Sequence, residues 1–358
     1  MDNEISQPLK GPSPLSVWVL LDGVILAVGV YLRFETLAHR VWWTDEIVQL
    51  EALRGYSLKN LLVSYLPIIP GGFPGDYLLT WPMAQVTSNK WALAAPHIMA
   101  TLLTFGLFLK IRRDERGHPL ATAVALLMMT LNRNLIFHDF ELRPYGVLPL
   151  LALGSYWATD RMFHRQTYTR QDAVLWIGWV FTLLLFHTYG ILILGSLWMF
   201  QLLKSIPLSR LVRAQVWRLA GLTALAVTLA LPLWLFYAKV PGTHHDPFAY
   251  CRPSVSGVLA FFLGNLGDWG WRFSWIPGTL LMFSSCFFVQ DTRWRPHLLF
   301  ILVLLVIPLG MIFMSDVLCH YWFVQRQFTW AMPLWALAIA RSMDLWTNRN
   351  SFEEPPTG

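Results

Sequence analysis

Residues 15–34, LSVWVLLDGVILAVGVYLRF, form the first long apolar run of the chain. A helix needs about 20 consecutive, mostly apolar residues to cross the hydrocarbon core of a bilayer. This run has that length, and it therefore predicts a first transmembrane span. Residues 42–46, WWTDE, follow shortly after it. Their two tryptophans suit the membrane–water interface, where an amphipathic ring lies at the level of the lipid headgroups.

The composition of the chain is typical of a polytopic membrane protein. Of the 358 residues, 55% are hydrophobic and only 13% are charged, whereas soluble domains carry about 25% charged residues. No long polar block interrupts the apolar runs, so we predict one membrane-embedded, all-α domain over residues 1–358, built as a transmembrane helical bundle. Ten spans are predicted, near residues 15–34, 91–109, 120–137, 145–158, 173–186, 191–203, 219–238, 275–289, 298–314 and 328–340.

Two further segments are interpreted as juxtamembrane helices. Apolar residues at helical spacing predict a helix along the membrane surface over residues 45–63. Residues 77–86 are apolar but too short to cross a membrane, and Pro82 interrupts them. A re-entrant or juxtamembrane helix therefore fits this segment best.

The distribution of Lys and Arg predicts the orientation of the bundle. With ten spans, the segments 110–119, 160–172, 204–218 and 291–297 lie on one side of the membrane. Together with Lys10, Arg341 and Arg349 they hold sixteen of the 27 basic residues. Because basic loops are enriched on the cytoplasmic side, both termini are predicted to be cytoplasmic and Asp45 and Glu46 extracytoplasmic. These loops account for the net charge of +6, and no nucleic-acid partner is predicted.

Polar residues gather at the outer ends of several predicted spans. Carboxylates at this depth are costly and are usually retained for chemistry or ion handling. Besides Asp45 and Glu46, the same face carries Arg133 and the polar residues of segments 138–145, 187–190 and 320–327. Arginine binds two phosphate oxygens at once, and a carboxylate can accept the proton of a hydroxyl. This combination predicts a lipid-phosphate substrate that is attacked by an alcohol at the outer face.

Five motifs, in chain order, carry a family resemblance: Asp45-Glu46 and residues 74–79 (PGDYLL), 91–96 (WALAAP), 141–146 (ELRPYG) and 187–190 (HTYG). The chain resembles the GT-C superfamily of membrane glycosyltransferases, in particular the protein O-mannosyltransferase and aminoarabinose-transferase-like group. The resemblance covers residues 15–205. It divides the domain into a family-like core, residues 1–205, and variable C-terminal helices, residues 206–358.

The resemblance implies an inverting transferase that uses a polyprenyl-phosphate sugar as donor. Asp45 would be the general base toward the acceptor hydroxyl, Glu46 would orient it or the acceptor, and Arg143 would bind the donor phosphate. Many members carry an Arg before the Leu-Pro of the second span, where this chain has Ala94-Ala95-Pro96, so that contact is either missing or replaced by Lys90. The remaining substrate-binding residues that we expect are Glu141, Tyr145, His187, Tyr189 and Arg326.

Other functions remain open at this point. The main alternative is a transporter or flippase for a lipid-linked sugar, although the sequence shows no inverted repeat of the kind typical of transporters. A non-catalytic membrane subunit would leave the outer charges unexplained. No cofactor is predicted, and Asp45-Glu46 without further clustered carboxylates is a poor cage for a divalent metal. The expected partners are the polyprenyl-phosphate donor, membrane lipids and an acceptor that is a lipid, a glycan or a protein.

Overall fold

The computed structural model describes residues 14–69, 73–164, 169–204, 210–237, 294–319 and 328–350, and it confirms the all-α class in these ranges. The helices are α1 (Pro14–His39), α2 (Thr44–Gly55), α3 (Leu58–Asn60), α4 (Pro74–Val86), α5 (Lys90–Asp114), α6 (Pro119–Leu131), α7 (Arg133–His138), α8 (Leu148–His164), α9 (Arg170–Phe186), α10 (Tyr189–Lys204), α11 (Arg210–Tyr237), α12 (Arg295–Ile301), α13 (Ile307–Cys319) and α14 (Ala331–Asn350). Single π or 3₁₀ turns cover Leu61–Tyr65, Leu66–Ile68, Pro144–Gly146 and Leu302–Val306, and the last of these joins α12 to α13.

Four stretches of helix in the described residues are long and apolar enough to cross a membrane. They are Val17–His39, Lys90–Asp114, Val216–Tyr237 and Arg295–Ile312. They coincide with the spans predicted near residues 15–34, 91–109, 219–238 and 298–314. Four such helices indicate a multi-pass membrane protein.

The prediction of ten spans is wrong. Helices α6, α8, α9 and α10 have 13, 17, 17 and 16 residues. At a rise of 1.5 Å per residue they are about 20–26 Å long, less than the roughly 30 Å of a hydrocarbon core. Helix α14 has 20 residues but contains Arg341 and Asp344. The span predicted near residues 275–289 lies outside the described residues.

The span predicted over residues 120–137 is interrupted at Asn132. Its side-chain Oδ1 accepts the backbone N–H of Leu135 at 2.9 Å, which makes Asn132 the N-cap of α7. Helix α6 therefore ends at Leu131. The surface helix predicted over residues 45–63 likewise ends early, because the backbone of Tyr56 is extended after α2. Residues 77–86 form most of α4, as predicted.

The buried core of the bundle lies where α14 packs against α6 and α8. Every residue from Ala331 to Ala340 is buried, and the small alanines let neighbouring backbones approach closely. Helix α1 packs against α6 at Gly29, where a Cβ atom would overlap the methyl group of Thr130. This close approach fixes the end of α1 that leads to Asp45.

Charged residues occupy both ends of the bundle. At the C-terminal end of α5, Arg112 pairs with Asp344 of α14 at 2.6 Å and with Glu115 at 2.9 Å. At the N-terminal end of the same helix, Lys90 donates to the carbonyl oxygen of Ala38, close to the end of α1. The basic segment 110–119 and the Asp45-Glu46 pair are thus at opposite ends of α5.

Candidate functional site

The turn between α7 and α8 carries most of the predicted polar residues, and its backbone is tightly constrained. The N–H of Arg143 donates to the carbonyl oxygen of Glu141 at 2.7 Å. Pro144 then opens the 3₁₀ turn that precedes α8. Gly146 lies so close to the returning chain that a Cβ atom would be 2.9 Å from the carbonyl oxygen of Asp139. These constraints fix the directions in which the side chains of Glu141 and Arg143 leave the backbone.

An ion pair fastens this turn to α1. Arg33 Nε lies 2.6 Å from Asp139 Oδ2, and both side chains are buried. Arg33 Nη1 also donates to the carbonyl oxygens of Gly29 and Thr130, at 3.0 Å each. Burial raises the pKa of Asp139, and the Arg33 guanidinium opposes that rise. The pair joins α1, the end of α6 and the turn in one unit.

Glu46 is fully buried, and both of its carboxylate oxygens bind the protein. Oε2 accepts from Arg40 Nη2 at 2.7 Å and from the N–H of Trp43 at 2.9 Å. Oε1 accepts from the N–H of Leu142 at 3.0 Å. Burial raises the pKa of Glu46, while the charge of Arg40 lowers it. Glu46 therefore ties the start of α2 to the α7–α8 turn and has no face open to a substrate.

The side chain of Asp45 is more accessible than that of its neighbour Glu46. Its side chain is 39% exposed, and Oδ2 lies 3.5 Å from Nη2 of Arg143, which is itself 23% exposed. The two residues are 98 positions apart in the sequence. The structure thus brings together, in a half-open location, the predicted base and the predicted phosphate ligand.

Aromatic residues and an imidazole surround Arg143. Tyr77 of α4, Tyr65 and Tyr145 all lie near enough to interact with its charge. His187, between α9 and α10, is also close: burial, with help from the charge of Arg143, lowers its pKa to about 3. At neutral pH His187 is therefore an uncharged acceptor, and its Nδ1 accepts the N–H of Tyr189 at 3.2 Å.

The carboxylate of Glu141 contacts the imidazole of His138. Its Oε2 lies 2.5 Å from Nδ1 of His138, and the carboxylate is buried. The ring of His138 meets that of Tyr145 edge to face, with centroids 6.2 Å apart. Glu141 therefore orients His138 beside the residues that surround Arg143.

The structure does not bring every predicted residue to this location. Within the described residues, Lys90 bonds to Ala38, at 2.7 Å, and to neither Asp45 nor Arg143. Tyr189 packs against His187, with ring centroids 4.5 Å apart. Arg326 lies outside the described residues, so its predicted contact is outside them too.

A buried triad of side chains was missed by the sequence analysis. Asp76 Oδ2 accepts from Gln49 Nε2 at 2.6 Å, and Asp76 Oδ1 lies 2.7 Å from Nε2 of His97. The three residues join α2, α4 and α5 directly beside Tyr77. The available signal was a histidine inside an apolar span, because polar residues in such spans are rare and usually paired.

The described residues contain no group of three or more His, Cys, Asp or Glu side chains that could hold a metal ion. No protein-family model matches the chain, and no curated protein matches it in sequence. The resemblance to the GT-C superfamily therefore rests on the five sequence motifs alone.

Proposed function

We propose that this protein is an inverting glycosyltransferase of the GT-C superfamily, which moves a sugar from a polyprenyl phosphate to the hydroxyl group of an acceptor. The observation that carries the proposal is the 3.5 Å contact between Asp45 and Arg143, both partly exposed. A base and an anion-binding group are the two functions that this transfer requires. They come from the first and fourth motifs of the resemblance.

The proposed reaction is a direct displacement at the anomeric carbon. The acceptor oxygen bonds to that carbon while the bond to the phosphate oxygen breaks, and the electron pair leaves with the lipid phosphate. Asp45 takes the hydroxyl proton, and Arg143 stabilises the charge on the departing phosphate. As in inverting hydrolases, the base and the leaving group lie on opposite faces of the sugar. A phosphate leaves as an anion, so no acid catalyst is required.

The neighbouring residues have supporting roles in this proposal. Glu46 positions α2, since its carboxylate is buried in protein contacts. Tyr77 and Tyr145 flank Arg143 and supply hydroxyl donors for phosphate oxygens. The uncharged His187 adds a polar surface without competing for the anion. Glu141 acts through His138.

The proposal also includes the sidedness of the site. The shorter helices α6–α10 would complete the bundle around the four long ones, with both termini cytoplasmic and Asp45 extracytoplasmic. Single cysteines at Ser88 and Asp114, both exposed, lie at opposite ends of α5. After the native Cys251, Cys286 and Cys319 are replaced, we expect an impermeant maleimide to label position 88 in intact cells and position 114 only after permeabilisation. The reverse pattern would place the site in the cytoplasm.

Activity is tested with purified protein, radiolabelled polyprenyl-phosphate sugars and a cell-envelope extract. A transferase consumes the donor and releases polyprenyl phosphate, whereas a flippase in vesicles moves the donor across the bilayer and leaves it intact. The matched control is Asp45→Asn, which keeps the shape of the side chain and removes its basicity. Donor that is translocated but never consumed, in wild type and variant alike, would favour the flippase.

A further inference from the structure

Gln49 lies about one helical turn after Asp45, and its side chain connects α2 to the rest of the bundle. Its Nε2 donates to Asp76 Oδ2 at 2.6 Å, and Asp76 Oδ1 lies 2.7 Å from Nε2 of His97. We infer that Gln49 and Asp76 are positioning residues of the proposed reaction, because they set the rotation of α2 and with it the place of Asp45. This inference rests on the proposed function and adds to it the contacts that set the geometry of the base.

The first half of α2 is held by polar contacts. In this half, which carries Asp45, the buried side chains are those of Glu46 and Gln49. The apolar Ile47 and Val48 between them are 45% and 47% exposed. Burial of apolar surface has no preferred direction, whereas a hydrogen bond does. The place of Asp45 is therefore set by two polar side chains rather than by apolar packing.

Glu46 and Gln49 connect α2 to two different elements. Glu46 accepts the N–H of Leu142 in the α7–α8 turn. Gln49 bonds to Asp76 in the first turn of α4. Both contacts lie within about one turn of Asp45 along the helix. One contact alone would leave α2 free to rotate about it, whereas contacts with two different elements fix the helix.

Asp76 is a firm anchor because it is itself held from two sides. Gln49, Asp76 and His97 are all buried, and His97 belongs to α5, one of the four long apolar helices. Asp76 also directly precedes Tyr77, which lies near enough to Arg143 to interact with its charge. One carboxylate thus connects the helix of the proposed base with a neighbour of the proposed phosphate ligand. A misplacement of about 1 Å at a reacting group can cost about 10²-fold in rate.

The kinetics of Gln49→Leu test this inference, because leucine fills similar space and removes the hydrogen bond. Rates are measured with purified protein, radiolabelled polyprenyl-phosphate sugars and cell-envelope extract, well below the melting temperature of every variant. We expect turnover at saturating donor to fall by about ten- to a hundred-fold. The donor concentration at half-maximal rate should stay within about two-fold of wild type, since Arg143 lies on another element. A merely structural role would leave turnover per folded molecule unchanged.

Gln85→Leu is the matched control, because it removes another side-chain amide that joins the same two helices. Gln85 Nε2 donates to the carbonyl oxygen of Leu53 at 2.6 Å, about two turns beyond Asp45 on α2. Its turnover should equal that of wild type. An equal loss of turnover in Gln49→Leu and Gln85→Leu would overturn the inference, because any weakening of the contact between α2 and α4 would then have the same effect.

An exchange of the two polar groups provides a second test. Gln49→Glu places two carboxylates against each other, so turnover should fall at least as far as in Gln49→Leu. In the double variant Gln49→Glu/Asp76→Asn, the new amide donates to the new carboxylate and its oxygen still accepts from His97. We therefore expect turnover to recover to within about five-fold of wild type.

Two results would overturn the inference while a sugar-transferring wild type leaves the proposed function intact. One is wild-type turnover in Gln49→Leu. The other is a double variant in which the melting temperature is restored and turnover is not. The comparison of the two leucine variants does not depend on this rescue. A wild type that transfers no sugar would overturn the proposed function, and this inference with it.

Discussion

His97 Nε2 lies 2.7 Å from Asp76 Oδ1, so a histidine inside the apolar helix α5 is paired with a carboxylate in the first turn of α4. Gln49 of α2 donates to the other oxygen of the same carboxylate. All three side chains are buried. Asp76 is therefore one of the points at which the helix carrying Asp45 is connected to the rest of the bundle.

Removal of this carboxylate should destabilise the fold. In Asp76→Ala the donors of Gln49 and His97 lose their acceptor, and a buried donor left unsatisfied costs about 1–3 kcal/mol. The control is Asp114→Ala in α5, whose partner Lys110 is 49% exposed and which should cost about 0–1 kcal/mol. Thermal unfolding in detergent measures both. Equal melting temperatures for the two variants would show that the buried triad does not stabilise the bundle.

Substitutions at Asp45 and Glu46 should have opposite signatures. Asp45→Asn should reduce turnover by about 10²–10⁴-fold, the usual cost of losing a general base, and leave thermal stability near that of wild type. Glu46→Gln should instead destabilise the protein, because it leaves the buried Arg40 without a charged partner, a change that costs about 3–5 kcal/mol. Transfer assays and melting curves on both variants decide the matter. A stable Glu46→Gln variant would contradict the role of Glu46 in holding α2.

Arg143 should matter for donor use and not for folding. Its charge-assisted hydrogen bonds to a phosphate are worth about 1.5–3 kcal/mol, so Arg143→Ala should weaken the affinity for polyprenyl phosphate by about ten- to a hundred-fold. Arg143→Lys keeps the charge but loses the two-pronged geometry, and its loss should be smaller. Binding and melting temperature are measured on the same preparations. A lower melting temperature with unchanged lipid-phosphate affinity would mean that Arg143 only ties the turn to α2.

The contact between α1 and α6 can be tested at a glycine. In Gly29→Ala the new methyl group overlaps Thr130, which cannot easily rotate away because its hydroxyl bonds to the carbonyl oxygen of Leu126. Overpacking of this kind costs about 1–3 kcal/mol. Gly23→Ala in the same helix meets nothing within 4 Å and should be neutral or slightly stabilising. Two variants with the same melting temperature would contradict the close packing of the two helices.

The lowered pKa of His187 predicts that the stability of the protein depends on pH. Because its pKa in the folded protein is lowered to about 3, it stays neutral while the unfolded chain takes up a proton below about pH 6.5. The free energy of unfolding should therefore fall as the pH falls from about 6.5, by at most about 1.4 kcal/mol per pH unit. His187→Asn keeps an acceptor for the N–H of Tyr189 and cannot be protonated. The variant should match wild type at pH 8 and lose less stability at pH 4.5, and parallel pH profiles would contradict the assignment.

The fold class and the polar residues at the ends of the apolar runs could be predicted from the sequence. Long apolar runs force the backbone to satisfy its own hydrogen bonds, which leaves helices as the solution. Charged residues such as Asp45 and Arg143 are conspicuous at the ends of such runs. The lengths of the helices were less predictable, because one hydrogen bond from Asn132 ends an apolar segment that periodicity treats as continuous.

Which carboxylate of Asp45-Glu46 is accessible depends on tertiary packing. Successive residues of a helix point roughly 100° apart, so the two carboxylates can lie in different environments, but the local sequence does not show which of them is buried. The choice was made by the groups that pack around the pair: Arg40 and the N–H of Leu142 enclose Glu46, while Arg143 approaches Asp45 from the half-open side. Burial and partner distance, which are properties of the packed chain, therefore distinguish the residue that positions α2 from the one that can act on a substrate.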